Sequence, residues 1–97
     1  MMTKYEIMFI VKATIEETAL NNITKEIQSL INIKDSKVIE FKDMGRKKLA
    51  YPINKEVSGF YYLMNVEASN EVITEFDRKL RINENILRHL ILKKESE

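Results

Sequence analysis

Near the start of the chain Tyr5, Ile7, Phe9 and Val11 alternate with Glu6, Met8 and Ile10. A period of two predicts a strand, although its second face is only half polar. The pattern then changes. Thr14-Ile15-Glu16-Glu17 has the spacing of a capping box, in which the Thr14 hydroxyl accepts from the Glu17 amide and the Glu17 carboxylate reaches back to Thr14. Leu20, Ile23, Ile27, Leu30 and Ile31 follow at helical spacing, predicting a helix through about Ile33 with one apolar stripe. Glu16 and Glu17 suit the positive end of that helix.

From Lys37, Val38, Ile39 and Phe41 begin a second strand that runs toward Tyr51 and contains Gly45. Val38 and Phe41 cannot share a face of a regular strand, so a bulge is expected between them or at Gly45. Pro52 has no amide hydrogen and belongs at a strand end or edge. After a connection over 54–58, a third strand is predicted from Gly59 to Glu67. Phe60, Tyr62, Met64 and Val66 lie on one side of it and Tyr61, Leu63, Asn65 and Glu67 on the other. Ser69 or Asn70 can cap a second helix whose buried stripe is Val72, Ile73, Phe76 and Leu80. Asn83 to Asn85 turns the chain, and Ile86 to Leu92 forms a fourth strand. Its core face is ambiguous: Ile86, Arg88, Leu90 and Leu92 compete with Leu87, His89 and Ile91.

The order β-α-β-β-α-β packs most economically as a ferredoxin-like α+β sandwich, with both helices on one face of a four-stranded antiparallel sheet. The other face carries no helix. Met8, Ile10, Tyr61 and Leu63 would lie on or near it, an apolar set that marks a protein-partner surface.

Composition narrows the class. The chain has 97 residues, enough for one domain over residues 1–93 followed by a short tail over 94–97. Hydrophobic residues at 44% and charged ones at 32% are those of a folded globular protein. Cysteine is absent, so there is no disulfide framework and no thiolate metal site, consistent with a reducing compartment. The apolar start is interrupted by Glu6 and Lys12, too short and too charged for a signal peptide or membrane span. A soluble cytoplasmic protein without membrane association is expected.

Charge changes the picture more. Sixteen basic and fifteen acidic residues nearly cancel, yet Gly45 to Lys55 holds Arg46, Lys47, Lys48 and Lys55 with no acid. Arg78 to Lys94 holds Arg78, Lys79, Arg81, Arg88, Lys93 and Lys94 against Glu84 alone. Local density of this kind attracts phosphate independently of the overall balance. Catalytic chemistry has little to work with. His89 is the single histidine and sits in an apolar strand without an evident partner, and no GxGxxG, Walker loop or HExxH spacing occurs. No enzyme activity, cofactor, metal or small-molecule substrate is called for. Arg46, Lys47 and Lys48 can contact phosphates, and Tyr51 adds an aromatic face. In an extended strand Arg46 and Lys48 share one side while Lys47 points to the other.

Three stretches carry a family likeness: Tyr5-Glu6 with IMFIV, GRKKLAYPINK followed by SGFYYLMNVEA, and LRINENILRHLILK. In order and spacing they resemble the bacterial small-subunit ribosomal protein six family over nearly the whole chain. The resemblance implies a structural constituent of the small ribosomal subunit that binds the central domain of small-subunit (16S) ribosomal RNA together with ribosomal protein eighteen. Arg46, Lys47, Lys48 and Arg81 match basic positions of the family's motifs, and Tyr51, Lys55 and Arg88 complete the expected RNA-binding set. Two other readings stand beside it. Ser58-Gly59-Phe60-Tyr61-Tyr62-Leu63 superficially resembles the third-strand motif of an RNA-recognition motif, which would stack bases on Phe60 and Tyr62. A small regulatory, ligand-binding domain dimerising through its free sheet face is the other.

Overall fold

The computed structural model describes residues 2–53 and 55–94. Their order is β1 (Met2–Lys12), α1 (Glu17–Ile31), β2 (Lys37–Ile53), β3 (Glu56–Ser69), α2 (Asn70–Arg81) and β4 (Ile86–Lys93). The strands form one antiparallel sheet in the order β2-β3-β1-β4, and the two helices pack on one face of it. This is the ferredoxin-like arrangement that the element order predicts.

The central pair sets the layers. Every residue of β1 pairs with β3 without a break, from Met2↔Ser69 to Lys12↔Gly59. Tyr5, Ile7, Phe9 and Val11 therefore share a face with Phe60, Tyr62, Met64, Val66 and Ala68, and these residues meet Ile27 and Ile31 of α1 and Val72, Ile73, Phe76 and Leu80 of α2 in the core. At its centre Phe9 stacks on Tyr62 at 5.2 Å, with Phe41 of β2 5.4 Å from Tyr62. Phe60 and Tyr62 are thus committed to the helix side, Tyr62 being only 4% exposed. Base stacking of the RNA-recognition-motif kind is not open to them. Burial also pushes the Tyr62 phenol above its ordinary pKa, with the Asp43 carboxylate adding to the effect.

Edge strands are less regular. In β2 the register slips once between Val38 and Glu40 and again between Asp43 and Gly45. Ile39 and Met44 are the inserted residues, and both are exposed. The first slip lets Val38 and Phe41 both pack on the core, which the sequence required of a bulge. At the second, Gly45 takes φ +83° and donates its amide to Asp43 Oδ1 at 2.8 Å, a conformation that an L side chain resists. The ambiguity of β4 is resolved the same way. Val11 faces Ile86 but Ile10 faces Arg88, so Leu87 is inserted. Ile86 and Ile91 consequently pack on the core, while Leu90 and Leu92 lie on the free face and are exposed.

Two local expectations change. The Thr14 capping box does not form: Glu16 occupies the N-cap without a side-chain cap bond, and the Thr14 hydroxyl donates instead to Glu56 Oε1 at 3.2 Å. The helix also stops at Ile31, leaving Ile33 exposed. The second helix is capped as expected, with Ser69 Oγ accepting from the Val72 amide at 3.2 Å. Strands β2 and β3 extend further than predicted and are joined only by residues 54 and 55. Asn54 and Glu95 to Glu97, where most of the expected tail lies, fall outside the described residues; Lys94 is tied back by its amide to the Lys4 carbonyl at 2.8 Å.

Because Phe9 is fully buried and stacked at the centre, Phe9→Ala is expected to lower unfolding free energy by about 3–5 kcal/mol. A urea titration monitored by far-UV circular dichroism reads this directly, and a loss under 1 kcal/mol would contradict the placement of the core.

Candidate nucleic-acid interface

The long β2–β3 hairpin carries the first cationic run. Antiparallel pairing places Arg46 opposite Phe60, Lys47 opposite Gly59 and Lys48 opposite Ser58. Alternation sends Arg46 and Lys48 to the helix side and Lys47 to the free face. Arg46 Nε and Nη2 lie 3.4 Å from Ser58 Oγ, while Lys47 Nζ stands 5.6 Å over the Tyr61 ring. All three cations are exposed, and Lys55 at the hairpin tip is exposed in a left-handed conformation with φ +69°. Among the described residues none of the four pairs with a carboxylate. Their charge is therefore available to an external anion.

The second cationic window is built differently. Arg78 bonds Glu75 one turn earlier, Arg81 Nη2 meets Asp77 Oδ2 at 3.0 Å, and Lys94 lies 3.9 Å from Glu6. Three of its six cations are matched within the chain. Arg81 ends α2, close to β4, whereas Arg46 to Lys48 belong to β2; the two strands are opposite edges of the sheet. Arg88 of the second window nevertheless reaches Tyr51 of the first on the free face, whereas Arg78 and Arg81 lie on α2, on the opposite face of the sheet.

His89 has the partner that its sequence neighbourhood did not reveal. Its Nε2 lies 2.6 Å from Asp77 Oδ1, and because a carboxylate can only accept, the ring N–H donates. Asp77 thus bonds β4 through His89 and the end of α2 through Arg81. The His89 bond and, less strongly, the Arg81 charge hold the Asp77 carboxyl below its ordinary pKa. The signal is Asp77 on the flank of a helix that faces an inward strand histidine, visible only once β4's register is known.

On the free face the expected partner set divides. Met8 pairs with Leu63 on one side and Leu90 on the other, giving a three-strand apolar row in which Met8 and Leu90 are exposed and Leu63 half-buried. Leu92 extends it. Sequence reading did not assign Leu90 and Leu92 to this surface because the β4 bulge was not legible. Ile10, by contrast, is only 5% exposed. It borders a cavity of about 220 Å³ together with Leu49, Tyr51, Tyr61 and Arg88, and a Cβ at Gly59 would come within 2.5 Å of its Cγ2. Ile10 therefore supports the face from beneath and is not a docking residue. Tyr51 and Arg88 meet here: Arg88 Nη1 donates to the Tyr51 hydroxyl at 2.6 Å, and its guanidinium lies 5.4 Å over the ring.

A model of the family described as ribosomal protein S6 matches residues 4–93. The chain belongs to the ribosomal protein S6 family. That family consists of non-enzymatic structural proteins of the small ribosomal subunit, and membership implies association with small-subunit ribosomal RNA. Among solved structures, the crystal structure of 30S ribosomal protein S6 from Thermotoga maritima is similar, with a TM-score of 0.89 at 23% identity, over 97% of this chain and 89% of that one. At that identity the likeness establishes the shared fold. In this chain the Asp77–His89 pair is a structural tie between α2 and β4. Among the described residues no helix is long and apolar enough to cross a membrane.

A carboxyl whose pKa is depressed on folding stabilises the protein above its unfolded value, and that contribution is lost as pH falls through the folded value. Asp77→Asn is therefore expected to lower stability by roughly 1–2 kcal/mol at pH 7, the scale of a partly exposed hydrogen bond to a charged group. The gap between variant and wild type should close as pH falls below about 4. Thermal melts of both proteins from pH 7 to pH 3 measure this.

Proposed function

We propose that this protein binds the central domain of small-subunit ribosomal RNA through the basic β2–β3 hairpin, and that ribosomal protein eighteen docks on the free sheet face during subunit assembly. The observation that carries the reading is the contrast between the two cationic windows. Arg46, Lys47, Lys48 and Lys55 are exposed on one hairpin with no carboxylate partner among the described residues, while three of the six cations of the second window, Arg78, Arg81 and Lys94, have one. Phosphate is the anion that such an unmatched, extended row fits, and Arg46 adds a planar donor pair. Tyr51, 53% exposed, offers an aromatic surface beside them. Arg81, at the other edge and held by Asp77, serves as a separate, weaker contact.

A surface with few unmatched charges binds RNA weakly by itself. The row Leu63, Met8 and Leu90, continued by Leu92, supplies a second modest interface for a protein, and two such interfaces formed together reach an affinity that neither reaches alone. The protein partner thus contributes to assembly without touching the cationic run.

Binding to a central-domain RNA fragment, with and without ribosomal protein eighteen over a salt series, tests the reading. Weak binding alone and tight, salt-sensitive binding with the partner are expected. Changing Arg46, Lys47 and Lys48 together to Ala should leave stability within about 0.5 kcal/mol and flatten the log–log salt slope by roughly 2–3; an unchanged slope refutes the assignment of the hairpin. Leu90→Ser should leave RNA binding without the partner unaltered while removing most of the gain that the partner confers. If the gain survives, the partner docks elsewhere.

A further inference from the structure

The end of β2 leaves the ladder. Between the pairs Lys48↔Ser58 and Ile53↔Glu56, four residues of β2, Leu49 to Pro52, stand against one residue of β3, Val57. The three surplus residues have no strand partner in β3, and Pro52 could not donate to one. Yet the segment is not loose. Leu49 is 7% exposed and borders the same cavity as Ile10 and Tyr61 on the free face. Tyr51 reaches Arg88 of β4, with the 2.6 Å hydrogen bond and the guanidinium over the ring. Since β2 and β4 are opposite edges of the sheet, this contact passes over the full width of the free face. Among the described residues the burial of Leu49, the lining of the same cavity by Ala50 and Ile53 and the pairing of Ile53 with Glu56 help to hold it there.

We infer that Arg88 is a positioning residue: through Tyr51 it straps residues 49–53 across the free sheet face and so fixes the direction of the hairpin that carries Arg46, Lys47, Lys48 and Lys55. The chemistry favours this role over a phosphate contact. The Arg88 guanidinium already has the Tyr51 ring 5.4 Å away and donates to its hydroxyl at 2.6 Å, a pairing that lysine reproduces poorly because its ammonium is a point charge without a planar fork. A hairpin of this length, with a bulge at Gly45 and a surplus before Ile53, needs an anchor remote from its own pairing if its cations are to keep one spacing. Tyr51 keeps more than half of its surface open, so the strap leaves an aromatic surface available for RNA.

This inference rests on the hairpin being the RNA contact, and the test separates the two. The full chain, Arg88→Gln, Arg88→Lys, Tyr51→Leu and the Arg88→Gln/Tyr51→Leu double variant are compared in two measurements. In the free protein, NMR reads the ring-current shift of the Arg88 side chain and the heteronuclear NOE of Ala50 and Tyr51. With the central-domain RNA fragment, affinity is followed over a salt series. Wild type should show the ring-current shift and an ordered segment, and each single variant should lose both. Each should bind RNA roughly two- to fivefold more weakly, the scale of one exposed cation–π contact. Tyr51→Leu also removes the aromatic surface and should lose more than Arg88→Gln; the double variant should be no worse than Tyr51→Leu alone, and Arg88→Gln should leave the salt slope unchanged.

Losses that add in the double variant, with a salt slope shallower by about 1 in Arg88→Gln, would make Arg88 a phosphate contact and overturn the inference. Full rescue by Arg88→Lys would do the same, since charge alone would then suffice. If the single variants bind as wild type while the triple hairpin variant binds weakly, the hairpin reading stands and the strap is irrelevant to it. If the triple variant itself binds as wild type, the RNA reading fails first, and absence of the ring-current shift in wild type would separately dispose of the strap.

Discussion

The unbroken pairing of β1 with β3 is the constraint on which the rest of the molecule depends. With all eleven residues of β1 in register, the two central strands present one continuous apolar face, and the stacked rings of Phe9 and Tyr62 fix its middle. Strand side chains alternate, so a slip of one residue would turn Phe9 and Tyr62 to solvent and bring Met8 and Leu63 under the helices. Burying that face against Ile27, Ile31, Phe76 and Leu80 removes enough apolar surface from water to make any other register far less stable.

Regularity at the centre permits irregularity at the edges. An edge strand pairs on one side only, so an inserted residue disturbs one ladder and its side chain can turn to solvent. Ile39, Met44 and Leu87 are such insertions, and the larger surplus at Leu49 to Pro52 is an extreme of the same kind. The features that bear on function lie where these irregularities occur. Gly45 begins the cationic run, the Leu49–Pro52 segment crosses the free face, and the Leu87 bulge turns Arg88 and Leu90 onto that face while leaving His89 to meet Asp77.

Charge is distributed by the same logic. Cations on α2 have carboxylates one turn away along the helix, and Glu75 and Asp77 engage Arg78 and Arg81. Along a strand the neighbours on one face are two residues apart; Glu40 and Lys42 of β2 pair in this way, but no acidic residue stands two positions from Arg46, Lys47 or Lys48. Across the ladder, Arg46, Lys47 and Lys48 meet Phe60, Gly59 and Ser58, none of which carries charge. Arg46, Lys47 and Lys48 are thus unmatched because the local sequence places no acid beside them or across the ladder, and a row of free cations coexists with a net charge near zero.

The sequence by itself determined the element order, the core faces of β1, β3 and α2, the need for a bulge between Val38 and Phe41, and the position of the basic run. Each of these follows from spacing within one segment, which the pattern of apolar and polar residues records directly. It also carried the family likeness, since GRKKLAYPINK and its neighbours are local motifs. Tertiary structure alone decided that Thr14 bonds Glu56 and does not cap its helix, that Ile10 is covered, and that Tyr51 meets Arg88. Those outcomes depend on contacts between residues far apart in the chain, 42 positions for Thr14 and Glu56 and 37 for Tyr51 and Arg88, and on bulges whose placement a period-two pattern does not encode. Where one segment meets another, the register of the edge strands decides, and that register exists only once the central pair has formed.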